Sequence, residues 1–230
     1  TTGVTVDGWT VDSDNYVKIQ AASGHRAGTS WDDSKYRLEV SGGDCLDVNI
    51  GVIVLDHLQL QQKSPTVHDQ SAIDGDTGSN LTVDWTFRNC FIKGDINNTD
   101  YRQHGVDANV NSSSIIKVYN NIVKDFTRNY SRSMNIIEEH STIKIYNNTV
   151  YNNDKGIFFA DDGDPGNYVK NNIAVENTDF DFEPSSINNA DVDYNISSDS
   201  SASGSHSRAN QTLSDISFAS TASGSEDFAI

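Results

Sequence analysis

Acids, histidines and arginines gather on three successive stretches of this chain. Tyr101 to Asp107 carries Tyr101, Arg102, His104 and Asp107. Arg132 to His140 carries Arg132, Glu138, Glu139 and His140. The third stretch is Asp161-Asp162-Gly163-Asp164. Two carboxyl groups held roughly 5 to 10 Å apart span both geometries that cleave a glycosidic bond. Like charges at that distance raise one of the two pKa values and so prepare an acid and a base. Hydrolytic chemistry would take two of Asp107, Glu138, Glu139, Asp161 and Asp162 as acid and base or nucleophile, with His104 or His140 orienting the substrate. A lyase or epimerase would instead remove a proton α to a carboxylate, using Arg102, Arg132, His104, His140 or Tyr101. Asp161, Asp162 and Asp164 would then offer oxygen ligands to Ca²⁺. His104 and His140 could also share a transition metal with Asp107 or Glu139, although they lack the helical spacing that marks such pairs. Against all of these stands a plain solvated face, which is what charge-rich rows usually are.

These groups need a scaffold that brings neighbouring stretches together, and the sequence describes one. Each chemical stretch contains or adjoins a phrase with a glycine or small residue and an apolar run: His104-Gly105-Val106-Asp107, Ser133-Met134-Asn135-Ile136-Ile137, Lys155-Gly156-Ile157-Phe158-Phe159. A second phrase alternates with it: Tyr119-Asn120-Asn121-Ile122-Val123, Tyr146-Asn147-Asn148-Thr149-Val150, and the worn copy Lys170-Asn171-Asn172-Ile173-Ala174. Repeats with a period in the twenties mark a solenoid. Aligned on one column, the chain reads Leu58, Cys90, Asn121, Asn148, Asn172, Asn195. Stacked asparagines can bond from coil to coil, and asparagine tolerates the left-handed backbone of tight corners. The surplus residues of the early coils must leave as loops, at Gln61 to Gln70, Gly75 to Asn80, Asp95 to Gln103 and Thr127 to Arg132. Coils stack about 4.8 Å apart, so outward acids on adjacent turns fall in the range that the chemistry needs.

Composition agrees with a coiled sheet. Only 35% of the 230 residues are hydrophobic, and there is one methionine. A helical solenoid would need more helix formers. The net charge of −17 argues against nucleic acid and anionic membrane surfaces as partners. It fits solubility in a salty or extracellular medium. No segment is apolar enough to span a membrane as a helix. Cys45 and Cys90 fall at different places in their repeats and read as buried free thiols rather than a disulfide. Residues 1–43 read as an N-terminal cap with a first strand, Trp9 and Trp31 covering the first apolar layer. Coils run over 44–197. Residues 198–230 begin as a low-complexity Ser-rich loop and end in short returning strands, all within one structural domain.

The opening Trp9-Thr10, Tyr16-Val17-Lys18-Ile19, His25-Arg26, Trp31 and Tyr36-Arg37-Leu38 is similar to the start of many bacterial and phage β-helix proteins. So are Asn195-Ile196-Ser197-Ser198-Asp199 and the Glu226-Asp227-Phe228 tail. Over nearly its whole length the chain resembles the right-handed parallel β-helix proteins of the pectate-lyase-like superfamily. That resemblance implies an all-β, right-handed parallel β-helix of about seven or eight coils. It implies secreted or virion-associated proteins that meet polysaccharides: lyases, hydrolases, uronan epimerases and tailspikes. Fold does not choose among them. Of the polygalacturonase pattern only Asp161-Asp162 is present, and the epimerase Asp-Pro-His-Asp is broken, since Asp164-Pro165 is followed by Gly166-Asn167. The expectation is an extracellular, carbohydrate-active protein, monomeric or trimeric, with no required cofactor beyond an optional Ca²⁺. The alternative is a non-catalytic glycan-binding or structural β-helix.

Overall fold

A computed structural model describes residues 2–63, 66–76, 81–98, 101–110, 113–138, 141–160, 166–183 and 191–230. Among the described residues the chain winds through seven coils of three strands each. The first coil is β1 (Val4–Val6), β2 (Val17–Gln20) and β3 (Leu38–Ser41). The second is β4 (Leu46–Val48), β5 (Val52–Asp56) and β6 (Gln59–Lys63), and the third β7 (Gln70–Asp76), β8 (Asp84–Arg88) and β9 (Phe91–Lys93). The fourth is β10 (Gln103–Val110), β11 (Ile115–Tyr119) and β12 (Ile122–Lys124), and the fifth β13 (Arg132–Glu138), β14 (Thr142–Tyr146) and β15 (Thr149–Tyr151). The sixth is β16 (Lys155–Ala160), β17 (Tyr168–Lys170) and β18 (Ile173–Val175), and the last β19 (Phe180–Phe182), β20 (Asp191–Asp193) and β21 (Ile196–Ser197). Corresponding strands stack in parallel: the first of each coil as sheet A, the second as sheet B, the third as sheet C. The fold is a right-handed parallel β-helix, the sense that parallel crossovers almost always take.

Alternation explains the core. Inward positions line up in register across coils, as in Leu46, Ile73, Val106, Met134 and Ile157 on sheet A. Leu55, Phe87, Val118, Ile145 and Val169 do the same on sheet B. All ten are essentially buried. The interior is thus one apolar column with little room for polar groups except at the corners.

The B-to-C corner holds the asparagine column. Asn121 donates to Asn148 through both its backbone N–H (3.0 Å) and its side-chain amide (3.1 Å). Asn148 repeats this to Asn172, and Asn172 to Asn195. All four are buried. The left-handed backbone falls one residue earlier, at Asn120, Asn147, Asn171 and Tyr194, and at Asn89 before Cys90. The pair therefore divides its work: the first asparagine turns the chain and the second ties the coils. A second, shorter ladder follows sheet C, where Phe126 N–H bonds Asn153 and Asn153 bonds Asn177, both at 3.0 Å. Asp125 and Asn152 supply left-handed residues just before it.

Residues 4–41 provide the whole first coil rather than only a cover. Trp9 stays 67% exposed. Trp31 packs on Phe91 outside the column, with ring centroids 5.8 Å apart. At the other end, where short returning strands were expected over Leu213 to Phe218, Leu213–Ile216 forms a one-turn helix, α1. The cause is local: Thr212 N–H donates to the Asp215 carboxylate at 2.8 Å, a capping box. The last residues do not enter a coil. They run back over the outer face of sheet C, where Phe228 packs on Phe91, Tyr151 and Phe218. Beneath them Lys124 is buried between Glu226 (2.5 Å) and Asp125 (3.2 Å). Cys45 and Cys90 are free and buried, and burial pushes each thiol up to about 12.

Candidate functional site

Sheet A is built from the glycine-containing phrases, and its outer face carries the candidate chemistry. In β10 and β16 the chain comes close to the next coil at Gly105 and Gly156. A Cβ on Gly105 would run into the Ser133 carbonyl, and one on Gly156 into that of Asp181. Glycine is needed there because the backbone itself occupies the space. One outward row crosses six of the seven strands in direct register: Thr5, Asp47, Asp74, Asp107, Asn135, Phe158. At the normal strand spacing, adjacent members lie roughly 5 Å apart and alternate members roughly 10 Å. Asp47, Asp74 and Asp107 thus place three carboxyl groups on consecutive coils. Asn135 donates to Asp107 at 2.8 Å, and Asn49 to Asp47 at 2.7 Å.

Three residues earlier on the strand stands a second row: Ser71, His104, Arg132, Lys155, Phe180. Here the expected bases are already engaged. The His104 side chain is only 4% exposed. Its Nδ1 accepts the Arg132 backbone N–H at 3.1 Å, so the neutral ring carries its proton on Nε2, 3.3 Å from the Asp69 carboxylate. Burial lowers its pKa, and the Asp107 and Asp69 charges only partly oppose that. Burial also acts to raise the Asp69 carboxyl, but the Arg102 guanidinium, 2.5 Å away, outweighs it and holds the group below the usual range. The Arg132 guanidinium carbon sits over the Phe158 ring, 3.9 Å from its centroid, and the group donates to Asn135 (3.0 Å) and Glu183 (3.3 Å). Lys155 pairs with Asp179 at 3.3 Å. Tyr101 packs edge-on against His68, with centroids 5.4 Å apart.

The structure thus brings together Arg102, His104, Asp107 and Arg132, with Tyr101 in the loop beside them. His104 and Arg132 act as supports of the sheet surface more than as groups that face a ligand. Glu139, His140, Asp161, Asp162 and Asp164 lie outside the described residues, as does the side chain of Glu138, whose backbone ends β13. Among the described residues no group of three or more His, Cys, Asp or Glu is placed to hold a metal ion, and no helix is long and apolar enough to cross a membrane. The outward row adds residues that the chemistry-first reading passed over, Asp47, Asn135 and Phe158, and sets Asp74, expected as an outward acid, beside Asp107. A signal for part of it existed in Leu46-Asp47, Ile73-Asp74 and Val106-Asp107, three apolar-Asp pairs that recur once per coil. No family model, no curated protein and no solved structure matches this chain.

Proposed function

We propose that this protein is a carbohydrate-active β-helix that hydrolyses an extracellular polysaccharide laid along the outer face of sheet A. The observation that supports this best is the registered pair Asp74 and Asp107. Its roughly 5 Å spacing suits a retaining pair of nucleophile and acid, while Asp47 and Asp107, two coils apart, suit an inverting one. Lyase chemistry is less favoured, because His104 and Arg132 are held by neighbours and Arg102 by Asp69. A non-catalytic glycan-binding role is the second reading. The Asn135 bond to Asp107 favours it, since it fixes that carboxylate as part of the surface.

A panel of polysaccharides, with and without Ca²⁺, separates these readings. Hydrolysis gives new reducing ends without the absorbance of an unsaturated uronate. Asp107→Asn then loses about a hundredfold or more in rate. Full activity in that variant would remove the pair from the mechanism. Retention of a glycan with no turnover would establish the binding role instead. If Asp161, Asp162 and Asp164 hold Ca²⁺, chelator lowers the melting temperature and Ca²⁺ restores it.

A further inference from the structure

The loops that lead into β7, β10 and β13 meet at the side of sheet A. They enclose a cleft of about 330 Å³ lined by His68, Arg102, Arg128, Asn129 and Tyr130. Among the described residues no carboxylate lines it, in a chain whose net charge is −17. His68 Nδ1 accepts the Arg102 backbone N–H at 3.0 Å, which leaves the proton of the neutral ring on Nε2. Arg102 spends one nitrogen on Asp69. The Nε of Arg102 and that of Arg128 have no hydrogen-bond partner among the described residues. The lining is mostly apolar surface, but it holds two guanidinium groups and the His68 Nε2–H, donors that planar or tetrahedral oxyanions satisfy.

Tyr130 adds a second, independent feature. Its ring is 66% exposed, although its backbone is left-handed at φ 67°. That conformation is unfavourable for a bulky residue and persists only where neighbours impose it. Here Tyr130 N–H donates to Asp154 at 2.6 Å, and the ring stands with the Lys155 ammonium 5.7 Å from its centroid. An amphipathic ring held outward beside cationic donors offers a face to a sugar and donors to its charged substituent.

We propose that this cleft is a subsite for an oxyanion carried on a sugar, a carboxylate or a sulfate ester. Arg128 and His68 donate to its oxygens, Arg102 supports them, and the Tyr130 ring lies against the sugar. This rests on the carbohydrate reading above and narrows its substrate to anionic polysaccharides. The cleft lies to one side of the Asp47-to-Phe158 row, so it takes a group that projects sideways from a chain lying along that row.

Binding of uronate-rich, sulfated and neutral polysaccharides to the wild type, Arg128→Gln and His68→Gln tests the idea, with urea midpoints confirming that each variant folds. Anionic chains are expected to bind better than neutral ones. Which anionic class binds tells carboxylate from sulfate. Arg128→Gln is expected to weaken that binding about tenfold or more, His68→Gln by less, with neutral chains unaffected. Anionic binding unchanged in both variants would overturn the cleft and leave the hydrolase reading standing. If no polysaccharide is bound or cleaved, the hydrolase reading falls, and sodium sulfate at constant ionic strength decides the cleft alone. A shift of the Arg128 Nε–H resonance in a sulfate titration then supports it, and a resonance that stays put overturns it.

Discussion

His104 shows how burial turns a candidate base into a support. Its ring takes the Arg132 N–H on one side and faces Asp69 on the other, beneath a surface that leaves it 4% exposed. Histidine type and spacing made it legible as chemistry. Its burial was not legible, because that depends on Asp69 from the preceding coil and Arg132 from the next one meeting its ring. The pKa shift carries a prediction. His104 is harder to protonate in the folded state than in the unfolded chain, where its pKa is about 6.5. As pH falls below that value the unfolded chain takes up the proton and the folded one resists it, so stability falls. Asp69, held below its usual range, adds a loss of the same sign at lower pH as its carboxylate is protonated. The urea midpoint should therefore drop between pH 7.5 and pH 5.5. His104→Gln, which keeps an acceptor for Arg132, should flatten that drop. An equal drop in the variant would assign it to other groups.

The corners are where coil meets coil. The doubled asparagine was readable because it repeats, and the ladder it implied is present. The sequence could not separate the two members, since either one tolerates a left-handed turn and only backbone geometry places it. Asn148 accepts from Asn121 twice and donates to Asn172 (3.0 Å) and the Val118 carbonyl (2.9 Å). Asn148→Ala would leave the buried Asn121 N–H without its acceptor and would take one donor each from the Val118 carbonyl and Asn172 Oδ1. Each buried group left unsatisfied costs about 1–3 kcal/mol. We expect a loss of about 2–4 kcal/mol in urea unfolding. Asn147→Gly, at the turning position with φ 56°, should change little, because glycine adopts that backbone readily. Equal losses at both positions would mean that the ladder bonds carry no special weight. The outward row of sheet A was harder to read for the opposite reason. Its residue type changes from Asp to Asn to Phe as the coils advance, so no repeated letter marks it beyond the three acids.

A column of coils packed mainly on their immediate neighbours cannot relieve a global electrostatic load through local contacts. With a net charge of −17, the folded rod holds its acids closer together than the unfolded chain does, and self-repulsion acts against it. Many of these acids answer local cations, such as Asp56 with Lys18 and Arg88, or Glu226 with Lys124. Such pairs relieve neighbours without removing the long-range excess. The same length scale explains how an acidic protein could receive an acidic ligand. The Debye length is about 10 Å at 0.1 M salt, so a group seated in the cleft senses Arg102, Arg128 and His68 with the nearby Asp69 and Asp154, and little of the distant acids. Salt should then act with opposite signs on the two properties. Raising NaCl from about 0.01 to 0.5 M should raise the melting temperature, as self-repulsion is screened. Over the same range it should weaken retention of an anionic polysaccharide, whose contacts are with cations. Melts and binding measured in one salt series check both. A melting temperature that falls with NaCl would mean that local ion pairs outweigh the net charge. Retention that is flat with salt would remove the cationic cleft from recognition.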